Sequence, residues 1–224
     1  MTANSVTANG DKAFAGYRLS CRRSERMVFT GLDFAVPAGG ALLLTGPNGS
    51  GKSSLLRLMA GLIRPYGGRL EHDGMRLADD PVLHRELVSY LGHQDAVKPM
   101  LTVGEGTRFW AALRGRQDTS EAAMAMMGLA DLTETAGRFL SSGQRRRAAL
   151  ARVIAGGAPI WLLDEPTVGL DVKSIAALEA ALAAHRAGGG IVIAATHAPI
   201  ALPGATGLNL AEFEPEDFAD GEAA

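Results

Sequence analysis

Residues Gly46-Pro47-Asn48-Gly49-Ser50-Gly51-Lys52-Ser53 fit the pattern G-x-x-x-x-G-K-[ST] at every position. The chemistry this spacing suits is phosphate binding. Glycines let the backbone curl round an anion and turn its N–H groups inward. A helix N-terminus just behind them adds partial positive charge. Lys52 can reach the β- and γ-phosphates of a nucleotide, and the Ser53 hydroxyl suits Mg²⁺. The competing reading is a glycine-rich turn that binds nothing. The flanks speak against it: Ala41 to Thr45 reads as a short buried strand, and Ser54 to Ala60 as an amphipathic helix.

Three further polar sites stand at the ends of apolar runs. Ile160-Trp161-Leu162-Leu163 ends in Asp164-Glu165, Ile191 to Ala195 ends in Thr196-His197, and Leu87 to Leu91 leads to Gln94. Short apolar runs suit strands buried on both faces of a parallel sheet. Ligands of open α/β sheets bind at the carboxyl ends of such strands, so these sites can converge on one nucleotide. Asp164 stands where a magnesium-associated Asp would stand. Glu165 beside it can orient or deprotonate a water for in-line attack. The alternative is a pair of acids at a helix start, stabilised by its dipole. His197 can donate to γ-phosphate oxygens.

The elements that must position these groups follow from the pattern of apolar residues. Residues 1–14 read as a loose tail. From Tyr17 to Val36, the alternating apolar residues Tyr17, Leu19, Cys21, Val28, Leu32, Phe34 and Val36 predict antiparallel strands. Pro37 to Gly40 is a turn, and Arg64 to Gly68 is a break before a short strand ending near Asp73-Gly74. From Thr102 to Ile154 the pattern is helical, with small residues and few strand formers. Phe109, Trp110 and Leu113 recur at helical spacing and read as core for at least one of the two aromatics. Ala122 to Leu132 and Gly143 to Ile154 make two more helices. Ile175 to His185 is a last helix, stopped by Gly188 to Gly190. The run Arg145-Arg146-Arg147 reads as a solvated helix face, with one arginine available to an interface.

The 224 residues suit one large domain, and 47% hydrophobic content supports a substantial core. A net charge of −2 gives no basic footprint for nucleic acid. One cysteine, Cys21, cannot form an internal disulfide and reads as a packing residue. No stretch reaches the roughly 18 apolar residues of a membrane span, so any membrane role needs a partner. Six acids lie between Glu212 and Glu222, and residues 211–224 read as a solvated acidic tail.

Leu140-Ser141-Ser142-Gly143-Gln144 resembles the signature of ATP-binding cassette (ABC) ATPases. It precedes Asp164-Glu165-Pro166 at the family's distance. Val168-Gly169-Leu170-Asp171 resembles the family's dimer-contact loop, Gln94 its glutamine loop and His197 its switch histidine. The resemblance covers about residues 16–210. It implies an α/β P-loop NTPase (RecA-like) fold: a mainly parallel sheet, an antiparallel β subdomain and a helical signature subdomain at about 99–157, in a single ATPase domain at 15–210. It implies catalytic roles for Glu165, His197, Gln94 and Lys52, with Mg²⁺ at Ser53, Gln94 and Asp164. It implies ATP contacts from Gly46, Pro47, Asn48, Gly49, Ser50, Gly51, Lys52, Ser53 and Ser54, and from Ser141, Ser142, Gly143, Gln144 and Asp171 across a head-to-tail dimer.

A narrower resemblance rests on Leu91-Gly92-His93-Gln94, Lys98, Leu101-Thr102, Gly189 to Ile193 and Leu19 to Arg23. These are similar to the ATPase subunits of cytochrome c maturation haem exporters. The implied setting is the cytoplasmic face of a bacterial inner membrane, with a transmembrane permease subunit docking near Gln94 to Trp110. A soluble nucleic-acid ATPase of the family would carry tandem cassettes or coiled-coil insertions, which this chain lacks. The family usually stacks adenine on an aromatic residue. Ser20 to Met27 contains none, which leaves the planar guanidinium of Arg22 or Arg23.

Overall fold

The computed structural model describes residues 13–215. Two sheets share the work. The first is antiparallel and contains β1 (Ala13–Arg23), β2 (Arg26–Pro37), β4 (Gly67–His72) and β5 (Met75–Arg76), in the order β2-β1-β4-β5. The second is parallel. It contains β3 (Ala41–Thr45), β6 (Val88–Leu91), β7 (Ile160–Asp164), β8 (Ile191–Ala195) and β9 (Thr206–Asn209), in the order β6-β7-β8-β3-β9. The helices are α1 (Lys52–Met59), α2 (Pro81–Leu87), α3 (Val103–Ala112), α4 (Ser120–Met126), α5 (Ser142–Gly156) and α6 (Val172–Ala187). The expected fold class is the one observed.

The period of two in a strand explains why the central runs are apolar throughout. Ile160 and Leu162 of β7 face one core, shared with α1 and the antiparallel sheet; Trp161 and Leu163 face a second, shared with α5 and α6. Ile191 and Ile193 of β8 divide from Val192 and Ala194 in the same way. The parallel sheet is therefore a central layer clamped from both sides, which holds the carboxyl ends of β3, β7 and β8 in register.

Several elements differ from expectation. β1 starts at Ala13 and buries Phe14 completely, so the last two residues of the expected tail are sheet; the rest of that tail lies outside the described residues. Tyr17 is exposed, with Arg69 stacked over its ring at 4.5 Å. The register shifts between Gly16 and Leu19, where Arg18 has a positive φ, and such a bulge exchanges the two faces of a strand. Leu87 closes α2, which the apolar run concealed, and β6 starts one residue later. The helix expected over 122–132 stops at Met126, because Gly128 adopts a left-handed conformation before a 3₁₀ turn at Ala130–Leu132.

Phe109, Trp110 and Leu113 are 54%, 41% and 62% exposed. α3 instead buries Val103, Gly104, Thr107 and Ala111, so its inward face is made of small residues. β9, an exposed edge strand with no apolar alternation, and a turn at Leu210–Phe213 occupy the stretch before the acidic end. Phe213 packs on the first core, so the expected tail begins with ordered chain, and residues 216–224 lie outside the described residues. Among the described residues, no helix is long and apolar enough to cross a membrane.

Candidate nucleotide site

The loop between β3 and α1 folds as its glycines demand. Gly46, Gly49 and Gly51 have φ of 130°, 88° and 99°. At Gly51 a side chain is excluded twice over, because an added Cβ would lie 2.6 Å from Val28 Cγ1. Lys52 is buried, and its Nζ donates to the carbonyls of Gly46 at 2.7 Å and Pro47 at 2.9 Å. The loop thus holds the ammonium over its own mouth, where phosphate oxygens can replace the carbonyls. Asn48, Gly49, Gly51, Lys52, Ser53 and Ser54 line a cleft of about 690 Å³. Ser50 is buried behind the loop.

The opposite wall of this cleft comes from the ends of β7 and β8: Asp164, Glu165 and His197 all line it. Asp164 is 3% exposed, and its Oδ2 has no hydrogen-bond partner. A buried carboxylate oxygen without a donor is suited to a cation or its water shell. Ser53 lies on the same cleft, so the loop hydroxyl and this carboxylate fit a magnesium ion carried by phosphates, which needs few protein ligands. Gln94, the third expected ligand, is exposed and is not among the residues lining the cleft; its neighbour His93 lines it instead.

Glu165 is a non-glycine residue with φ of 49°, a conformation that costs roughly 1 kcal/mol. The cost is offset by its contacts. Its N–H donates to Ala195 O at 2.7 Å, and its carboxylate accepts from the N–H of His197 at 3.2 Å. The His197 Nε2 stands 3.7 Å from the other carboxylate oxygen. The strained turn thereby aims the carboxylate at the cleft, next to the imidazole.

The arginine run after the signature is not a solvated face. Only Arg145 is exposed. Arg147 donates to the carbonyls of Met127 and Gly128 and closes the end of α4. Arg146 is 4% exposed and lies directly beneath the site. Its Nη1 donates to Gly92 O at 3.0 Å and Asp95 Oδ1 at 2.8 Å; its Nη2 donates to Asp164 O at 2.6 Å and Glu165 O at 2.5 Å. A signal for this was available. Arg146 shares one helix face with the buried Ala149, Leu150 and Val153.

The signature residues do not reach the cleft of their own chain. Ser141 caps α5, its Oγ accepting from Gln144 N at 3.2 Å while Gln144 Oε1 accepts from Ser141 N at 2.8 Å. An added Cβ at Gly143 would lie 2.8 Å from Gly169 O, so α5 approaches the 165–171 loop backbone to backbone. Asp171 caps α6 through Ser174 N at 2.8 Å, and hydrogen bonding by the Ser174 side chain, then by its backbone N–H, holds the Asp171 carboxyl below the usual range. Ser141, Ser142, Gly143, Gln144 and Asp171 therefore form a second, separate surface, headed by the N-terminus of α5.

At the cleft's far rim the two candidate stacking arginines part company. Arg22 lies over the exposed ring of Tyr66 at 4.9 Å, whereas Arg23 lines the cleft beside Val28. Cys21, just before them, is buried, and desolvation pushes its thiol up despite the nearby Arg23.

Comparisons with known proteins agree with this geometry. The family model for ABC transporters matches residues 29–168. A protein of Paramagnetospirillum magneticum named cytochrome c biogenesis ATP-binding export protein CcmA is 52% identical over 91% of this chain and 96% of its own. One of the same name from Rhodospirillum rubrum is 54% identical, over 91% of this chain and 88% of its own. Among solved structures, an ATP-binding subunit of an ABC transporter superposes with a TM-score of 0.75 at 25% identity, over 82% of this chain and 79% of that one. A bacterial Atm1-family ABC exporter with ATP bound also gives 0.75 at 25% identity, over 86% of this chain and 35% of that one. A phosphate loop facing a paired Asp-Glu and a histidine, on this sheet order and with these relatives, places the chain in the ABC transporter family, as an ATP-binding subunit.

Proposed function

We propose that this chain is the ATP-hydrolysing subunit of a bacterial complex for cytochrome c biogenesis, a peripheral subunit on the cytoplasmic face of the inner membrane. The observation that carries the proposal is the name shared by relatives about half identical over nine-tenths of the chain. The cleft supports the chemistry. Loop N–H groups, Lys52 and the α1 N-terminus hold the phosphates of ATP. Glu165 orients a water against the γ-phosphorus and takes its proton as the new P–O bond forms and the bond to the β-phosphate oxygen breaks. His197 donates to a γ-phosphate oxygen. Ser53 and Asp164, with Gln94 from the neighbouring loop, would hold Mg²⁺, which would supply charge neutralisation for the leaving diphosphate.

The site is incomplete in one chain. A second copy, packed head to tail, brings Ser141, Ser142 and Gly143 to the γ-phosphate, so that ATP joins the subunits and its hydrolysis releases them. Arg23 offers its guanidinium plane to the adenine. The membrane partner docks on the helical side. There a groove of about 320 Å³ is lined by Leu62, Arg85, Trp110, Arg114 and Arg152, and Phe109 stands exposed against Trp110.

The test is made in cells. The native copy is replaced by Glu165→Gln at matched protein level, and periplasmic c-type cytochromes are stained for covalent haem. Loss of haem attachment with intact b-type cytochromes is expected. Normal attachment removes the cytochrome assignment and turns attention to another export substrate.

A further inference from the structure

We propose that Arg146 is a positioning residue for ATP hydrolysis. It fixes the backbone turn that aims Glu165 and locks it to the loop carrying Gln94. The proposal rests on the reading of Glu165 as the base.

The geometry is that of a clamp. A guanidinium has five N–H donors in a rigid planar fork. In Arg146 all four terminal N–H groups are committed, two in each direction, and Nε has no partner. One arm holds successive carbonyls, those of Asp164 and Glu165, at the point where the chain leaves β7. The other holds Gly92 O and the Asp95 carboxylate, on either side of His93 and Gln94. The side chain itself rises from α5, one turn beyond the Ser141 cap. Three segments distant in sequence, and each carrying a residue of the proposed site, thus meet on one side chain.

Glu165 needs such a clamp. Its φ of 49° is a conformation that glutamate adopts reluctantly, and rotation of that residue back to an extended state would swing the carboxylate out of the cleft. Holding the carbonyls on both sides of its Cα restricts that rotation. The Asp95 arm means that a shift of the Gln94 loop, as when a partner docks or a nucleotide enters, pulls on the same fork. Arg146 therefore joins loop position to the aim of the base. A cation with one rounded head cannot do this, because Lys cannot span acceptors on two sides in one plane.

The experiment uses the full chain and measures steady-state ATP hydrolysis with ATP binding in parallel, for Arg146→Lys, Arg146→Gln and Asp95→Asn. For both Arg146 variants, kcat is expected to fall at least tenfold while KM and the ATP dissociation constant stay within about threefold. Asp95→Asn, which keeps the fork on Asp164 and Glu165, is expected to lose less. Each is then combined with Glu165→Gln. If Arg146 acts through Glu165, the double variant is no slower than Glu165→Gln alone. Rescue by Lys, an equal loss of binding and turnover, or multiplying losses in the double variant would overturn the proposal. Normal turnover by Glu165→Gln alone would instead overturn the assignment of the base. Should the Arg146 variants fail to fold, Asp95→Asn decides: unchanged kcat contradicts the clamp.

Discussion

The phosphate-loop end and the signature end of this chain solve opposite problems. The first is a concave site with unmet demands. Asp164 has a free buried oxygen, Lys52 is held by carbonyls that a phosphate can replace, and Glu165 sits in a strained turn. The second, among the described residues, lines neither the nucleotide cleft nor the groove beside α3, and its polar groups bond one another. Ser141 and Gln144 bond each other, Asp171 caps its own helix, and Gly143 lies against Gly169. One end is a receptor; the other is a pre-organised helix terminus offered outward. The contrast is what the proposed head-to-tail pairing rests on: the signature surface belongs to the same sequence as the cleft but lies apart from it.

Substitutions at the two ends should separate accordingly. Glu165→Gln removes the proposed proton acceptor and leaves the loop of residues 46–53 intact. It is expected to slow hydrolysis by about 10²- to 10⁴-fold with ATP binding retained, measured by turnover and by titration. Lys52→Ala removes a charge-assisted contact of about 1.5–3 kcal/mol, so ATP affinity should weaken roughly 10- to 100-fold. Unchanged affinity would place the phosphates elsewhere. At the signature end, Ser141→Ala deletes the α5 cap. It should cost about 1 kcal/mol of stability in denaturant unfolding while leaving ATP affinity of the single chain unchanged.

The smallest effect lies far from both ends. His185 stacks on Trp161 with ring centroids 3.9 Å apart, and burial lowers its imidazole below the ordinary 6.5. The folded chain thus binds fewer protons than the unfolded chain once the pH drops through that value. Stability should decline with falling pH below about 6.5, and His185→Asn should flatten that part of the profile, read as Tm between pH 8 and pH 5.

The two ends also differed in how much of them could be read beforehand. Lys52, Asp164, Glu165 and His197 follow from local order, strand then loop then helix, and the sheet brings strand ends together whatever else the chain does. Arg146 follows from nothing local. Its partners lie 18 to 54 residues away, and a triple arginine reads as a solvated face unless its phase with Ala149, Leu150 and Val153 is noticed. Tyr17 belongs to the expected strand, but its exposure is not legible there, because a bulge exchanges strand faces without leaving a mark in the alternation. The pattern predicts core for at least one of Phe109 and Trp110 because large apolar residues outweigh small ones in it. α3 instead buries Gly104, Thr107 and Ala111, small residues at its contact with the other helices. The exposed edge strand β9 has no apolar period to show.

The most direct measurement of the central claim is the mass in solution of the Glu165→Gln chain with saturating ATP, beside the same chain carrying Ser142→Arg at an exposed position of the α5 terminus. If the cleft of one copy is completed by the signature of another, the first doubles its mass on adding ATP. The second binds ATP and stays single, because the arginine blocks the α5 terminus. A Glu165→Gln chain that stays single with ATP bound, or a Ser142→Arg chain that doubles equally well, would contradict the shared site.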